Sequence, residues 1–294
     1  MRVMVLTIAT VAALIAGAAQ ISITAQTPGT QKPPAAPAKA AGPGGDLKTM
    51  LYNWANHMGM IRGVQEVDAI ATLEYLGTGT MTVAGQPCKL TKYRATINYQ
   101  TPGMRADFAC TRADGQAHQE IQVVSGTFAW NEVGQVGGGL VPGEGSVVPT
   151  MDALNERLIR LWSGPQGAVK AATAGGTNTK VSVVGGKHVV SYPIPGVSGA
   201  IATATLSASS GQGPCAMNCA ERIEVRFGNA VTEFTYSNYA DFNDKEERLD
   251  AFFAGRIVEK RGTATVLDLT VNRTNTGNLY IVMPVPPNVR KAGQ

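Results

Sequence analysis

The chain has three histidines, His57, His118 and His188, and four cysteines, Cys88, Cys110, Cys215 and Cys219. Such residues hold metals or drive acid–base and nucleophilic chemistry only at particular spacings. The histidines lie far apart, with no HxH or HExxH pair. Ser125-Gly126 lacks the preceding glycine of a nucleophile elbow. Gly186-Lys187 is not a phosphate-binding loop, because position 181 is Val where that motif has Gly. The polar run Asp241, Asp244, Glu246, Glu247 and Asp250 lacks the glycine and the spacing of a calcium loop, so it reads as solvated. The expectation is a protein without cofactor, metal or familiar catalysis.

Two cysteine pairs are the chemistry that remains. Four cysteines in an exported chain point to disulfides, with three connectivities open. The expected pairing is Cys88–Cys110, which brackets a hairpin, and Cys215–Cys219, which closes a small loop. A metal at the second pair needs two further ligands, and no nearby His or acid pattern supplies them.

Export is read from the first 25 residues. Arg2 precedes an uncharged apolar run, Val3 to Ala19, and small residues suited to a signal peptidase follow at 16–18 or 23–25. The alternative is an N-terminal membrane anchor, for which the run is short. No cysteine lies near the cleavage region, which excludes a lipid-modified N-terminus and leaves a periplasmic or secreted location without a stable transmembrane segment. Residues 26–45 are rich in Pro, Ala and Gly and read as a disordered tether. Beyond residue 45 the chain holds 22 basic against 21 acidic residues, so it presents no electrostatic footprint for nucleic acid.

The rest reads as one β-rich domain, 46–287, with a tail, 288–294. The fold class expected is mainly β, a single antiparallel, strongly curved sheet or unclosed barrel covered by a few helices. Glu221 to Pro287 is its organising stretch, four strands expected to close the sheet. Ile223, Val225 and Phe227 alternate with Arg222, Glu224 and Arg226. The two-residue loop Gly228-Asn229 sets Phe227 opposite Ala230, Val225 opposite Thr232, Ile223 opposite Phe234 and Glu224 opposite Glu233. A second hairpin turns at Arg261-Gly262-Thr263, with Ile257 expected opposite Leu267 and Arg256 opposite Asp268.

Further upstream, Asp46 caps a helix bearing Leu47, Met50, Leu51, Trp54 and Met58 and ending at Gly59. Asp68 to Val83 reads as a long strand bent at Gly77 and Gly79. Lys92 to Tyr99 and Met104 to Thr111 form a hairpin, and Gln119 to Trp130 follows as one strand or two. Thr150 to Trp162 is the clearest helix, with Leu154, Leu158, Leu161 and Trp162 on one face. Before it, the glycine-rich stretch Val133 to Pro149 is long for a compact domain. Met50, Met58, Met60, Met81 and Met104 fill a core or line an adaptable apolar pocket.

Two segments resemble known families. Val123-Val124-Ser125-Gly126 through Ala129-Trp130-Asn131, with Glu156-Arg157-Leu158, Leu161-Trp162, Pro165-Gln166-Gly167 and Lys170-Ala171-Ala172, resemble an uncharacterised exported region that precedes some metallo-β-lactamase-fold hydrolases. The HxHxDH motif of that hydrolase is missing here, so its zinc chemistry is not carried over. Tyr239-Ala240-Asp241-Phe242, Gly255-Arg256-Ile257-Val258 and Leu267 to Val271 are similar to the last strands of periplasmic lipoprotein carriers of the LolA type. That resemblance implies an unclosed β-barrel whose helices plug an apolar concavity.

The function expected from these readings is an exported, non-enzymatic binding or carrier domain for a lipophilic ligand or a lipoprotein acyl chain. Trp54, Trp162, Ile223, Val225 and Phe234 are the candidate lining residues. The alternative is a structural or interaction module of the cell envelope with a packed core.

Overall fold

A computed structural model describes residues 42–43, 45–64, 67–133, 146–208, 215, 217–243, 250–278 and 280–293. The expected leader, most of the tether, most of the glycine-rich stretch and most of the polar 241–250 loop lie outside these residues. The strands are β1 Gly42–Pro43, β2 Ile61–Arg62, β3 Val67–Asp68, β4 Thr72–Val83, β5 Gln86–Asn98 and β6 Gly103–Arg112. They continue as β7 Ala117–Ser125, β8 Phe128–Val133, β9 Ser146–Pro149, β10 Lys180–Val184, β11 Lys187–Pro193 and β12 Ile201–Leu206. The last are β13 Ala220–Phe227, β14 Ala230–Ser237, β15 Ala240–Asp241, β16 Phe252–Phe253, β17 Arg256–Arg261 and β18 Ala264–Asn275. Four helices, α1 Leu47–His57, α2 Leu154–Ser163, α3 Pro165–Ala174 and α4 Pro287–Ala292, accompany them.

Fourteen strands form one antiparallel sheet in the order β1-β10-β11-β12-β13-β14-β17-β18-β4-β5-β6-β7-β8-β9. Its two edges, β1 and β9, do not pair, so the barrel is unclosed. The 221–287 meander therefore sits in the middle of the sheet and joins its two arms, where the sequence reading had it closing the sheet. Helix α2 touches β6, β7 and β8 and also β13. These strands stand far apart in the sheet order, so the sheet must curl around the helix, leaving α1, α2 and α3 on its concave side.

The first hairpin pairs Phe227 with Ala230, Val225 with Thr232, Ile223 with Phe234 and Glu224 with Glu233, as the Gly-Asn loop requires. Arg222 bonds both Glu224 and Glu233, and Arg226 bonds Glu224, which offsets the repulsion of the facing carboxylates. The second hairpin differs from the sequence reading. Ile257 faces Leu269 and Glu259 faces Leu267, with a bulge between Glu259 and Lys260 and a two-residue Gly262-Thr263 turn. The bulge absorbs the residue that a three-residue loop would have taken. Arg256 still reaches Asp268, along the diagonal, at 2.7 Å.

Three other boundaries move. The strand expected over 68–83 begins at Thr72 and carries a bulge between Gly77 and Gly79. Strand β18 passes so close that a Cβ on Gly79, whose φ is +155°, would lie 2.0 Å from the Asp268 carbonyl oxygen. The helix expected from Thr150 starts with a 3₁₀ turn, Met151–Ala153, before α2 proper. The tail expected after Pro287 forms α4, whose Val289 is buried against Ile121, Val123 and Trp130 on the convex face. Asp46 caps α1 through Thr49 N–H, and Gly59 follows it with φ +67°.

Candidate functional site

All five candidate lining residues fall in one continuous core on the concave side. Trp54 comes from α1, Trp162 from the end of α2, Ile223 and Val225 from β13 and Phe234 from β14. Each is buried, and none lines an open apolar chamber. Their neighbours supply the reason. The α1 stripe Met50, Trp54 and Met58 and the α2 residues Leu158, Leu161 and Trp162 pack into the same core. Of the five, Phe234 alone borders the enclosed cavity that persists beneath the α2–α3 elbow at Gly164-Pro165. That cavity measures about 20 Å³, room for about one water.

Charged residues at this place are the feature that sequence reasoning missed. Glu259 points into the core from β17 and is almost fully buried. Its carboxylate accepts Arg160 Nε–H at 2.8 Å and Nη2–H at 3.1 Å, and Arg261 Nη2–H at 2.8 Å. Arg261 also donates to Glu156, 2.6 Å away on α2. Burial raises the carboxyl pKa of Glu259, but Arg160 and Arg261 outweigh it and hold the group below its ordinary value. Burial disfavours the Arg160 charge, and Glu259 more than compensates, leaving that guanidinium above its ordinary value.

Arg157, one turn earlier on α2, is buried and pairs with no carboxylate among the described residues. It donates to the carbonyls of Val123 and Trp130 at 2.9 and 2.6 Å and to Asn131 Oδ1 at 2.5 Å. Burial, reinforced by Arg160, pushes its pKa down to about 10. Asn131 in turn bonds Glu120, which bonds Gln122 and His118, and His118 meets Arg112. A polar chain thus runs over the β6–β8 arm to α2 and on to β17. Helix α2 is pinned to the β6–β8 arm by Arg157 and to the middle of the sheet by Arg160.

The pins have an outer side as well. A groove of about 240 Å³ opens where the start of α2 meets the 227–230 turn, lined by Asp152, Glu156, Ile159, Phe227, Glu259 and Arg261. Glu259 lines both this groove and the enclosed cavity, and Arg160 lines the cavity. Glu259 is therefore a wall residue common to both spaces, held by Arg160 on the cavity side and Arg261 on the groove side. Buried phenols crowd the inner side. Tyr75 and Tyr93 stack at 6.0 Å, and burial raises both hydroxyls, that of Tyr75 well above its usual range. Tyr99 packs against Trp162, and Lys170 Nζ lies 5.0 Å from its ring.

Among the described residues, no three His, Cys, Asp or Glu side chains converge as a metal site. Cys88 is bonded to Cys110 and Cys215 to Cys219, the pairing that the spacing suggested. Among the described residues, no helix is long and apolar enough to cross a membrane. No family model matches this sequence, and no curated protein matches it significantly.

Two signals for the missed residues stand in the sequence. Ile257 faces inward, so period two turns Glu259 inward as well. Arg157 falls within the 154, 158, 161 stripe of α2, a position that must be buried if the stripe is.

Proposed function

We propose that this chain is an exported, non-enzymatic binding or carrier domain of the LolA-like kind, which takes a lipophilic ligand or an acyl chain into the concave side of its sheet. The observation that carries this reading is the shared wall. A solvent-open groove and a small, largely apolar cavity share the buried carboxylate Glu259 as a wall residue, paired with Arg160 on the cavity side. A buried pair adds little stability compared with apolar packing, and its best-attested use is to specify one arrangement among several. Here it holds α2 over the concave wall. When the pair parts, the groove and the cavity join beneath α2, and Phe234 and its neighbours Tyr75 and Tyr99 face the opening. An unclosed sheet can widen at its free edges without breaking a ladder, which suits a site that must enlarge to admit its ligand.

Export and a periplasmic or secreted location belong to the same proposal, supported by the apolar leader composition and two disulfides. A second reading is favoured by one observation. A cavity of about 20 Å³ means a filled core, which suits an envelope interaction module that binds no lipid.

Titration with a fluorescent fatty acid separates the two readings. A carrier binds the probe saturably, and Trp162 emission changes with it. In a packed module, tryptophan emission ignores the probe.

A further inference from the structure

The C-terminal part of the chain forms a second feature, at the rim where β4 begins and β5 ends. Residues 280–286 run extended across the strand ends without joining the sheet. Side chains hold the backbone instead. Thr72 Oγ1–H donates to Asn278 O at 2.7 Å, Asn98 Nδ2–H to Ile281 O at 2.7 Å and Ser125 Oγ–H to Met283 O at 2.8 Å. This fixes one face of the segment inward. Ile281 is buried, and Met283 and Val285 pack against the convex cluster of Ile121, Val123, Trp130 and Val289.

The alternate residues then point outward. Tyr280 is 91% exposed and Val282 71%, and Pro284 is exposed beside them. Leaving large apolar side chains in water on a firmly held segment has no folding benefit, and such residues mark contact surfaces. Charge selects the partner. Helix α4 follows at once and exposes Arg290 and Lys291. No acidic residue occurs after Asp268. Nearby carboxylates on the strands are already paired, Glu74 with Arg94 and Glu132 with Arg105. A tyrosine, aliphatic groups and unopposed cations together are the composition of a surface that docks on anionic lipid headgroups.

We propose that the rim formed by Tyr280, Val282, Pro284, Arg290 and Lys291 is a peripheral docking surface for an anionic bilayer. It does not rest on the carrier reading, since it uses the outer rim and no part of the concave site.

The test places a reporter at the rim, in the full chain. Tyr280→Trp is mixed with vesicles of phosphatidylcholine alone or with phosphatidylglycerol added, each containing brominated lipid that quenches inserted indoles. Trp54, Trp130 and Trp162 are buried, and the protein with Tyr280 intact, mixed with the same vesicles, gives their contribution for subtraction. Quenching should appear with the anionic vesicles and be weak with the neutral ones. Adding Arg290→Gln and Lys291→Gln should weaken that quenching by roughly thirtyfold in lipid concentration, because each surface cation contributes roughly a fivefold step. Both substitutions lie at exposed positions, and an unchanged melting temperature confirms the fold. Quenching that ignores the two charges, or no quenching in anionic vesicles, overturns the proposal; in the latter case the rim serves a protein partner or none.

Discussion

Arg160 on α2 and Glu259 on β17 meet through two hydrogen bonds, 2.8 and 3.1 Å, in a place sealed from solvent on one side and bordered by an open groove on the other. The two residues are 99 apart in sequence, and their contact joins the concavity's helical cover to the middle of the sheet.

Removing one partner should cost far more than removing both. Glu259→Leu strands a buried guanidinium and should lower stability by about 3–5 kcal/mol, whereas Glu259→Leu with Arg160→Met should be close to neutral or stabilising. Urea denaturation of the single and double variants measures this directly.

The same pair sets an acid limit. Glu259 has a folded pKa below its unfolded value, so its contribution is complete above the unfolded value and is lost as pH falls through the folded one. Urea midpoints taken from about pH 6 down to about pH 3 should therefore fall more steeply for the native protein than for Glu259→Gln, which carries no such titration. Parallel curves would remove Glu259 from the account.

Core truncation tests the packing. Trp162→Ala and Trp54→Ala should each cost roughly 3–5 kcal/mol, because both side chains are buried among helix and sheet residues. The large cost belongs to either functional reading, and only a change in probe binding at Trp162 points to the carrier.

The disulfides should differ in weight. Cys88→Ala with Cys110→Ala opens a loop of sequence separation 22, and the loss should be about 3 kcal/mol on the chain-entropy account. Cys215→Ala with Cys219→Ala opens a separation of only 4 and should cost less. Calorimetric melting of the two double variants orders them.

What was legible in the sequence follows from how locally each feature is determined. The β13–β14 register could be read because a two-residue turn and an alternating apolar face both demand it. The β17–β18 register could not, because a bulge at Glu259/Lys260 trades one residue of loop for one of strand, and no residue type announces it. Matching Arg256 to Asp268 misled for a physical reason, since long side chains satisfy that pair on the diagonal as well as directly across. The candidate lining residues were recognised as inward-facing from their periodicity. Whether helices fill the space in front of them depends on contacts between Trp54, Trp162 and the β13–β14 wall, which are far apart in sequence. The Arg160–Glu259 pair was hidden for the same reason, although the alternation from Ile257 to Glu259 already turned that carboxylate inward.

The carrier reading is tested most directly by native mass spectrometry of the chain after incubation with a long-chain fatty acid, beside Glu259→Leu/Arg160→Met. The account predicts a saturable adduct of one fatty acid per chain. It also predicts that loading becomes faster in the double variant, where no ion pair holds the wall shared by groove and cavity. A native spectrum of bare protein at every fatty-acid concentration, for both proteins, would contradict the account and leave a packed envelope module in its place.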